Sequence, residues 1–264
     1  MAQEIAGPDA KVSSLMSDSD DPHTFSPTPQ TVASLRDADL FLTIGVDYEK
    51  ALAAKIQSMF PDLAVIDVAQ KVQRQTMAEH HHDGGEEREE AEHHEHEGSH
   101  AEEPVSDPHV WLSLPNLVTI ADSVCSSLSK VDPEHAHDYQ ERADDYKARL
   151  REDHNHFAET LKGVKVRSFC VYHPVFGYFA RDYDLHQATV EIDGKSPSPR
   201  QLKTLFEEAK EEGFTIVFVQ PQFNDRPAQA IAERIGGRVV RINPLDENPV
   251  SVIATAVKAL VGEE

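Results

Sequence analysis

The chain has 264 residues, of which 39% are hydrophobic, and a formal net charge of −22. That length and apolar content suit one large domain or two ordinary lobes and exclude global disorder. The acidity excludes a nucleic-acid binder, which needs a basic footprint to release counterions, and no apolar run of about 18 residues is present to span a membrane.

The charge is unevenly spread. Between Ala78 and Glu103 stand eleven carboxylates and a single arginine, close to half of the net charge. The start, Met1 to Gly7, lacks the basic segment followed by an apolar one that marks a signal peptide. This fits a cytoplasmic protein, or a secreted one whose leader is absent from this chain.

In chain order, Lys11 to Met16 reads as a strand, followed by a proline-punctuated loop from Asp21 to Pro29. A helix over Gln30 to Arg36 precedes the strand Leu40 to Gly45, an amphipathic helix Tyr48 to Met59 and the strand Ala64 to Val68. Such alternation predicts a parallel, doubly wound sheet. Residues 79–103, a His-, Glu- and Gly-rich run without apolar periodicity, cannot bury enough surface to order themselves and read as a mobile loop.

From Pro115 to Leu161 almost everything reads as helix, broken at Asp132-Pro133, where proline suits a first helical turn. The second of these helices carries charge on most faces, the pattern of a helix that bridges lobes rather than packing inside one. After Gly163 the α/β rhythm resumes with strands near 166–172, 187–192, 215–219 and 238–242, alternating with helices near 174–182, 198–212, 226–235 and 249–261. The organisation expected is α/β: two parallel-sheet lobes, residues 1–132 and 162–264, joined by a long rigid helix over 133–161. Ligands of such folds bind outside the carboxyl ends of strands, here in the cleft between lobes. Cys125 and Cys170 fall in a helical and a strand pattern and read as buried small hydrophobes; no spacing speaks for a disulfide between them.

Three histidines stand apart from the acidic run. His23 lies in Asp21-Pro22-His23, His109 in Asp107-Pro108-His109 and His173 in Tyr172-His173-Pro174. Each has a proline beside it, which stiffens the backbone and limits how the imidazole is presented. Three imidazoles converging from distant points suit a borderline metal such as Zn2+, at about 2.0–2.1 Å per bond. His135, His137, His154, His156 and His186 read as incidental, and Trp111 as packing. Glu191 and Asp193 are candidates to accept a hydrogen bond from an imidazole and so orient it.

The segment from Asp21 to Pro29 resembles the first signature of the metal-binding solute receptors of ABC importers, and Asp107 to Ser113 their second. His173 to Ala180, followed by Tyr183 and Leu185, resembles the third. Ser196 to Leu202 and Val219 to Phe223 resemble two further segments of that family. The likeness runs through nearly the whole chain in order. It implies two α/β lobes, a rigid connecting helix and a metal between the lobes held by His23, His109 and His173, with no catalysis. It also implies delivery to a membrane permease, a monomer, and a periplasmic location.

Manganese-type members carry glutamate at the third position and zinc-type (ZnuA-like) members histidine, so His173 points to zinc, in keeping with the preference of nitrogen donors. Zinc-type members also carry a His- and acid-rich loop before the second signature. His80, His81, His82, His93, His94, His96 and His100 occupy that place and read as a weak, multi-ion zinc antenna, effective only while imidazole is neutral.

The chain departs from the pattern in three ways. Pro22 stands where some members have a carboxylate, and Asn243 where many have an aspartate. The fourth ligand is then open between water, a loop histidine, Asn243 and a nearby carboxylate such as Asp246. The family's first strand does not precede Ala2, which would leave an unpaired sheet edge in the first lobe.

Two other functions fit the same residues. A zinc-buffering protein or surface adhesin would work without a permease. A mononuclear hydrolase would use three histidines and an activated water, but no Glu or Asp offers itself as general base at a recognisable spacing.

Overall fold

The computed structural model describes residues 1–17, 20, 24–77, 106–191, 197–223 and 225–263. Two parallel sheets result. The first pairs β1 (Leu40–Thr43) with β2 (Ala64–Asp67), in register Leu40↔Ala64 to Thr43↔Asp67. The second contains β3 (Ser168–Val171), β4 (His186–Thr189), β5 (Ile216–Val219) and β6 (Arg238–Arg241) in the spatial order β4-β3-β5-β6. The chain goes from β3 to one side, to β4, then returns to the other side as β5. The crevice between the carboxyl ends of β3 and β5 is therefore the topological switch point, where open α/β sheets place their ligands.

Alternation along the strands separates three apolar clusters. Phe41 faces outward, with Val32, Leu35, Leu52 and Ile56 of the flanking helices α2 (Pro29–Ala33) and α3 (Asp47–Met59) and the short 3-10 turn between them. Cys170, Val217 and Val219 face α7 (Pro199–Glu212) and α8 (Asp225–Ile235) on the far side of the second sheet. The opposite faces of both sheets meet one shared core: Leu40, Leu42 and Ile66 border it from the first, while Phe169, Val171 and Phe218 are fully buried in it from the second.

That shared core is filled by α1 (Ala2–Ala6), α4 (Leu114–Val131), α5 (Ala136–Lys162), α6 (Gly177–Asp182) and α9 (Pro249–Val261). Ser113 caps α4, its hydroxyl oxygen accepting the Asn116 N–H at 3.2 Å, which satisfies one of the orphan donors of the first turn.

Helix α5 is less polar in place than its composition suggests. Tyr139, Ala143, Tyr146, Leu150, Phe157 and Leu161 recur at steps of three, four and seven residues and form a buried stripe, the spacing of a core-facing helix. The stripe packs on α4, α1 and α9. The buried Lys147 on the same helix is neutralised by Asp122 at 2.5 Å and Asp144 at 2.8 Å, as a buried ammonium requires.

The N-terminal segment differs from expectation. Lys11 to Met16 forms no strand; residues 11–14 are exposed, and the backbone is instead tied to one side chain. Gln3 donates to the carbonyls of Gly7 (2.8 Å) and Ala10 (3.2 Å) and accepts the Val12 N–H (3.0 Å). Without a neighbouring strand to supply ladder bonds, these local bonds win. Arg142 closes the end of α1 by donating to the carbonyls of Ile5 and Ala6, and pairs with Asp9. Cys125 and Cys170 are both buried and free. No helix among the described residues is long and apolar enough to cross a membrane.

If α5 is part of the core, Leu150→Ala should destabilise the protein by about 2–5 kcal/mol, the range for deleting a buried leucine, read from urea unfolding. A loss within about 0.5 kcal/mol, the range for a surface site, would make α5 a solvated bridge.

Candidate metal centre

The Asp107-Pro108-His109 turn makes its own orienting contact. Asp107 and His109 are 2% and 1% exposed. One carboxylate oxygen of Asp107 accepts both the His109 backbone N–H at 2.9 Å and the ring Nδ1–H at 2.8 Å. The other accepts the Gln75 side-chain amide at 3.0 Å. A carboxylate is acceptor-only, so the His109 proton lies on Nδ1 and the ring lone pair on Nε2, the tautomer a metal ligand needs. Orientation thus comes from Asp107, with proline stiffening the turn between them.

Helix α6 of the second half locks onto this turn. The Tyr178 hydroxyl donates to the Asp107 carbonyl at 2.9 Å and accepts the Gln75 N–H at 3.2 Å. Gly177 makes the approach possible: a Cβ there would lie 2.6 Å from both Asp107 Oδ2 and Gln75 Nε2, closer than non-bonded atoms allow. Arg181 continues the seam, reaching the Asn116 side-chain oxygen and the Asp182 carboxylate, and stacking over the Tyr178 ring. Ser113 donates to Asp182 at 2.5 Å.

His173 leaves the end of β3 at the switch point. Its Nδ1 donates to Glu191, which follows β4, at 3.2 Å, and the Phe223 ring stacks on its imidazole with centroids 5.7 Å apart and planes 23° apart. The His109 and His173 rings meet edge to face, 5.4 Å between centroids. Trp111 packs edge-on against His109 at 5.4 Å and donates its indole N–H to the Pro244 carbonyl at 2.8 Å. It therefore ties the loop after β6 to the same place and does more than fill space.

Burial dominates the electrostatics of His109 and pushes its pKa down; Asp107 opposes the shift, and nearby His173 adds slightly to it. The imidazole is held neutral, ready to donate its lone pair. Two rings with fixed Nδ1 partners and adjacent faces form a nitrogen donor set of the kind Zn2+ favours.

The structure brings together His109, His173 and Glu191 from the sequence-derived candidates. His23 lies outside the described residues, as do Asp193 and the loop histidines His80, His81, His82, His93, His94, His96 and His100. Asn243 is half-buried after β6, its side-chain oxygen accepting the Leu245 N–H at 3.2 Å. Asp246 is exposed, and its carboxylate accepts the Asn248 N–H at 2.8 Å. Other histidines have structural partners: His135 binds Asp132, His154 binds Tyr183 and His186 binds Glu212. Gln75 was not singled out from sequence; Tyr178, Gln220 and Phe223 fall inside the family-like segments His173 to Ala180 and Val219 to Phe223, but no individual role was read for them.

Comparison with known proteins shows the family. Residues 1–260 match the family model described as ZnuA, zinc-uptake complex component A periplasmic. The zinc-binding protein AdcA of Streptococcus pyogenes is 29% identical over 252 residues, covering 92% of this chain and 47% of that protein. The zinc-binding lipoprotein AdcA of Streptococcus pneumoniae is 29% identical over 276 residues, covering 98% of this chain and 52% of its own length. The chain thus spans about half the length of these curated relatives. A crystal structure of ZnuA superposes with a TM-score of 0.85 at 30% identity, covering 99% of this chain and 93% of that one.

The sign of the His109 shift makes a testable statement. A depressed pKa means that the native state resists a proton which the unfolded chain accepts near pH 6.5. The resulting stability is complete above that pH and is lost as pH falls toward the lowered native value. Urea unfolding of metal-free protein at pH 7.5 and 5.5 should show a smaller acid loss in His109→Gln than in the parent; equal losses would mean that His109 is not buried neutral.

Proposed function

We propose, for a chain that belongs to the ZnuA family of periplasmic zinc-uptake components, that it is an extracytoplasmic receptor which captures Zn2+ and delivers it to the permease of an ABC importer. In this reading His23, His109 and His173 hold the ion, and the protein works as a monomer in the periplasm. The observation that carries it is the pair of imidazoles from separate halves of the chain, 5.4 Å apart, each with Nδ1 held by its own carboxylate. Zinc is cargo here. The family is one of uptake receptors, and the ligand set is chosen to bind and release rather than to react.

The physical logic is simple. Fixing both rings before the ion arrives removes the ordering cost of binding, so affinity comes from preorganisation. The neutral imidazole of His109 presents no proton at its coordinating nitrogen to be displaced, whereas acid competes directly with the ion. The His- and acid-rich run of residues 79–103 adds many weak donors near the second histidine in sequence and would raise the local concentration of divalent cations. Asn243 and Asp246 are both engaged in local turns, which favours water as the fourth ligand.

Calorimetric titration with Zn2+ tests the assignment. The parent should show one tight site and several weak ones, and deleting residues 79–103 should remove only the weak ones. His23→Ala, His109→Ala and His173→Ala should each weaken the tight site by more than about tenfold, at the lower end of the cost of losing an orienting partner alone. Tight binding that survives His109→Ala and His173→Ala would overturn the site; zinc-dependent esterase turnover abolished by His173→Ala would replace transport with hydrolysis.

A further inference from the structure

Strand β5 ends one residue before a buried glutamine. Gln220 is 1% exposed, and both ends of its amide are used on the backbone of a single residue. Its Oε1 accepts the His173 N–H at 3.3 Å and its Nε2 donates to the His173 carbonyl at 2.9 Å.

The placement explains why a side chain is needed. The β3–β5 ladder runs through Cys170↔Val217 and Val171↔Phe218, and Tyr172 still donates to the Phe218 carbonyl at 2.8 Å. At the next residue the chain leaves the sheet to enter the His173-Pro174 turn, where the His173 carbonyl also accepts the Val175 N–H at 2.8 Å. The Gln220 amide adds a side-chain bond to each backbone group of His173, just past the end of the β3–β5 ladder. The same turn grips the ring, for Phe223 N–H donates to the Gln220 carbonyl at 3.1 Å and its side chain stacks on the imidazole. Glu191 holds Nδ1 from the other neighbouring strand. Backbone, ring face and ring nitrogen are thus fixed from three directions.

We propose that Gln220 is a positioning residue for zinc capture: its amide clamps the His173 backbone and so sets where that imidazole stands relative to His109. The proposal rests on the reading of His173 as a zinc ligand. A buried amide of this kind is costly to leave unpaired, and both of its bonds go to one ligand-bearing residue. A packing role alone would not require that pairing.

The test uses the whole chain, Zn2+ and the spectroscopic substitute Co2+. Gln220→Met keeps length and volume but loses both hydrogen bonds. Zn2+ affinity, from competition with a chromophoric chelator, should fall about 10–100-fold, the usual cost of losing a partner that orients a ligand. The visible absorption bands of bound Co2+ should change as the ligand geometry loosens. A variant that folds, even with a lowered melting temperature, yet keeps parental Zn2+ affinity and Co2+ bands would overturn the proposal. If Gln220→Met fails to fold, Gln220→Asn decides by the same two readouts: the amide is retained but one methylene too short to reach both backbone groups. His173→Ala separates the two hypotheses. If its affinity is unchanged, the zinc-ligand reading fails; if it is lost while both Gln220 variants bind as the parent does, only the positioning role fails.

Discussion

Two imidazoles can serve one ion only if the segments that carry them are held against each other, and the contact between the Asp107 turn and helix α6 does this. Tyr178 bonds both the Asp107 carbonyl and the Gln75 N–H, while Gly177 gives way to the Asp107 carboxylate and the Gln75 amide. His109 lies two residues from Asp107, and His173 four residues before Gly177. The ring-to-ring separation is therefore set through very short lengths of chain on either side of one buried polar seam. Every member of the seam is paired, as a polar cluster in a low-dielectric interior must be.

The shared core points the same way. The inner faces of both sheets pack on a single apolar cluster filled by α1, α4, α5, α6 and α9. Opening the halves like a hinge would expose apolar surface along that whole layer, at roughly 25 cal/mol for each Å2. Within that layer, Lys147 of α5 is paired to Asp122 of α4 and ties those two helices together. The two histidine-bearing segments are therefore held together with little room for movement.

Much of the fold was legible because it rests on local patterns. Strand and helix alternation, proline at the starts of α2, α4, α7 and α9, and the Ser198 capping box each declare themselves within a few residues. The misreading of Lys11 to Met16 shows the limit: a β-like stretch is a strand only when a partner lies beside it, and here the Val12 N–H turns to Gln3 and the Met16 N–H to Ser14 instead. Helix α5 is the long helix expected, but its buried stripe is harder to read. Its charges crowd the exposed faces, and the stripe of Tyr139, Tyr146, Leu150 and Phe157 is carried partly by amphipathic tyrosines. In the candidate site, the converging His109, His173 and Glu191 could be named from motifs and strand ends. The roles of Gln75, Tyr178 and Gln220 could not, because each acts on residues tens of positions away, and polar partners of that kind leave no periodicity in the sequence.

Rigid rings raise the question of release. Both Nδ1 atoms are bonded to carboxylates, which makes the imidazoles better donors and prevents either from swinging away unaided. The depressed pKa of His109 also removes mild acid as an easy trigger at that ring. On the receptor reading, a transporter must then act on the seam itself: displacing α6 from the Asp107 turn would move His173 away from His109 while leaving each carboxylate–imidazole pair intact. If, as proposed, the ion binds only when both rings converge, its affinity and the seam's integrity are thermodynamically linked: whatever separates the two segments then weakens the hold on zinc by the same free energy with which zinc strengthens the seam.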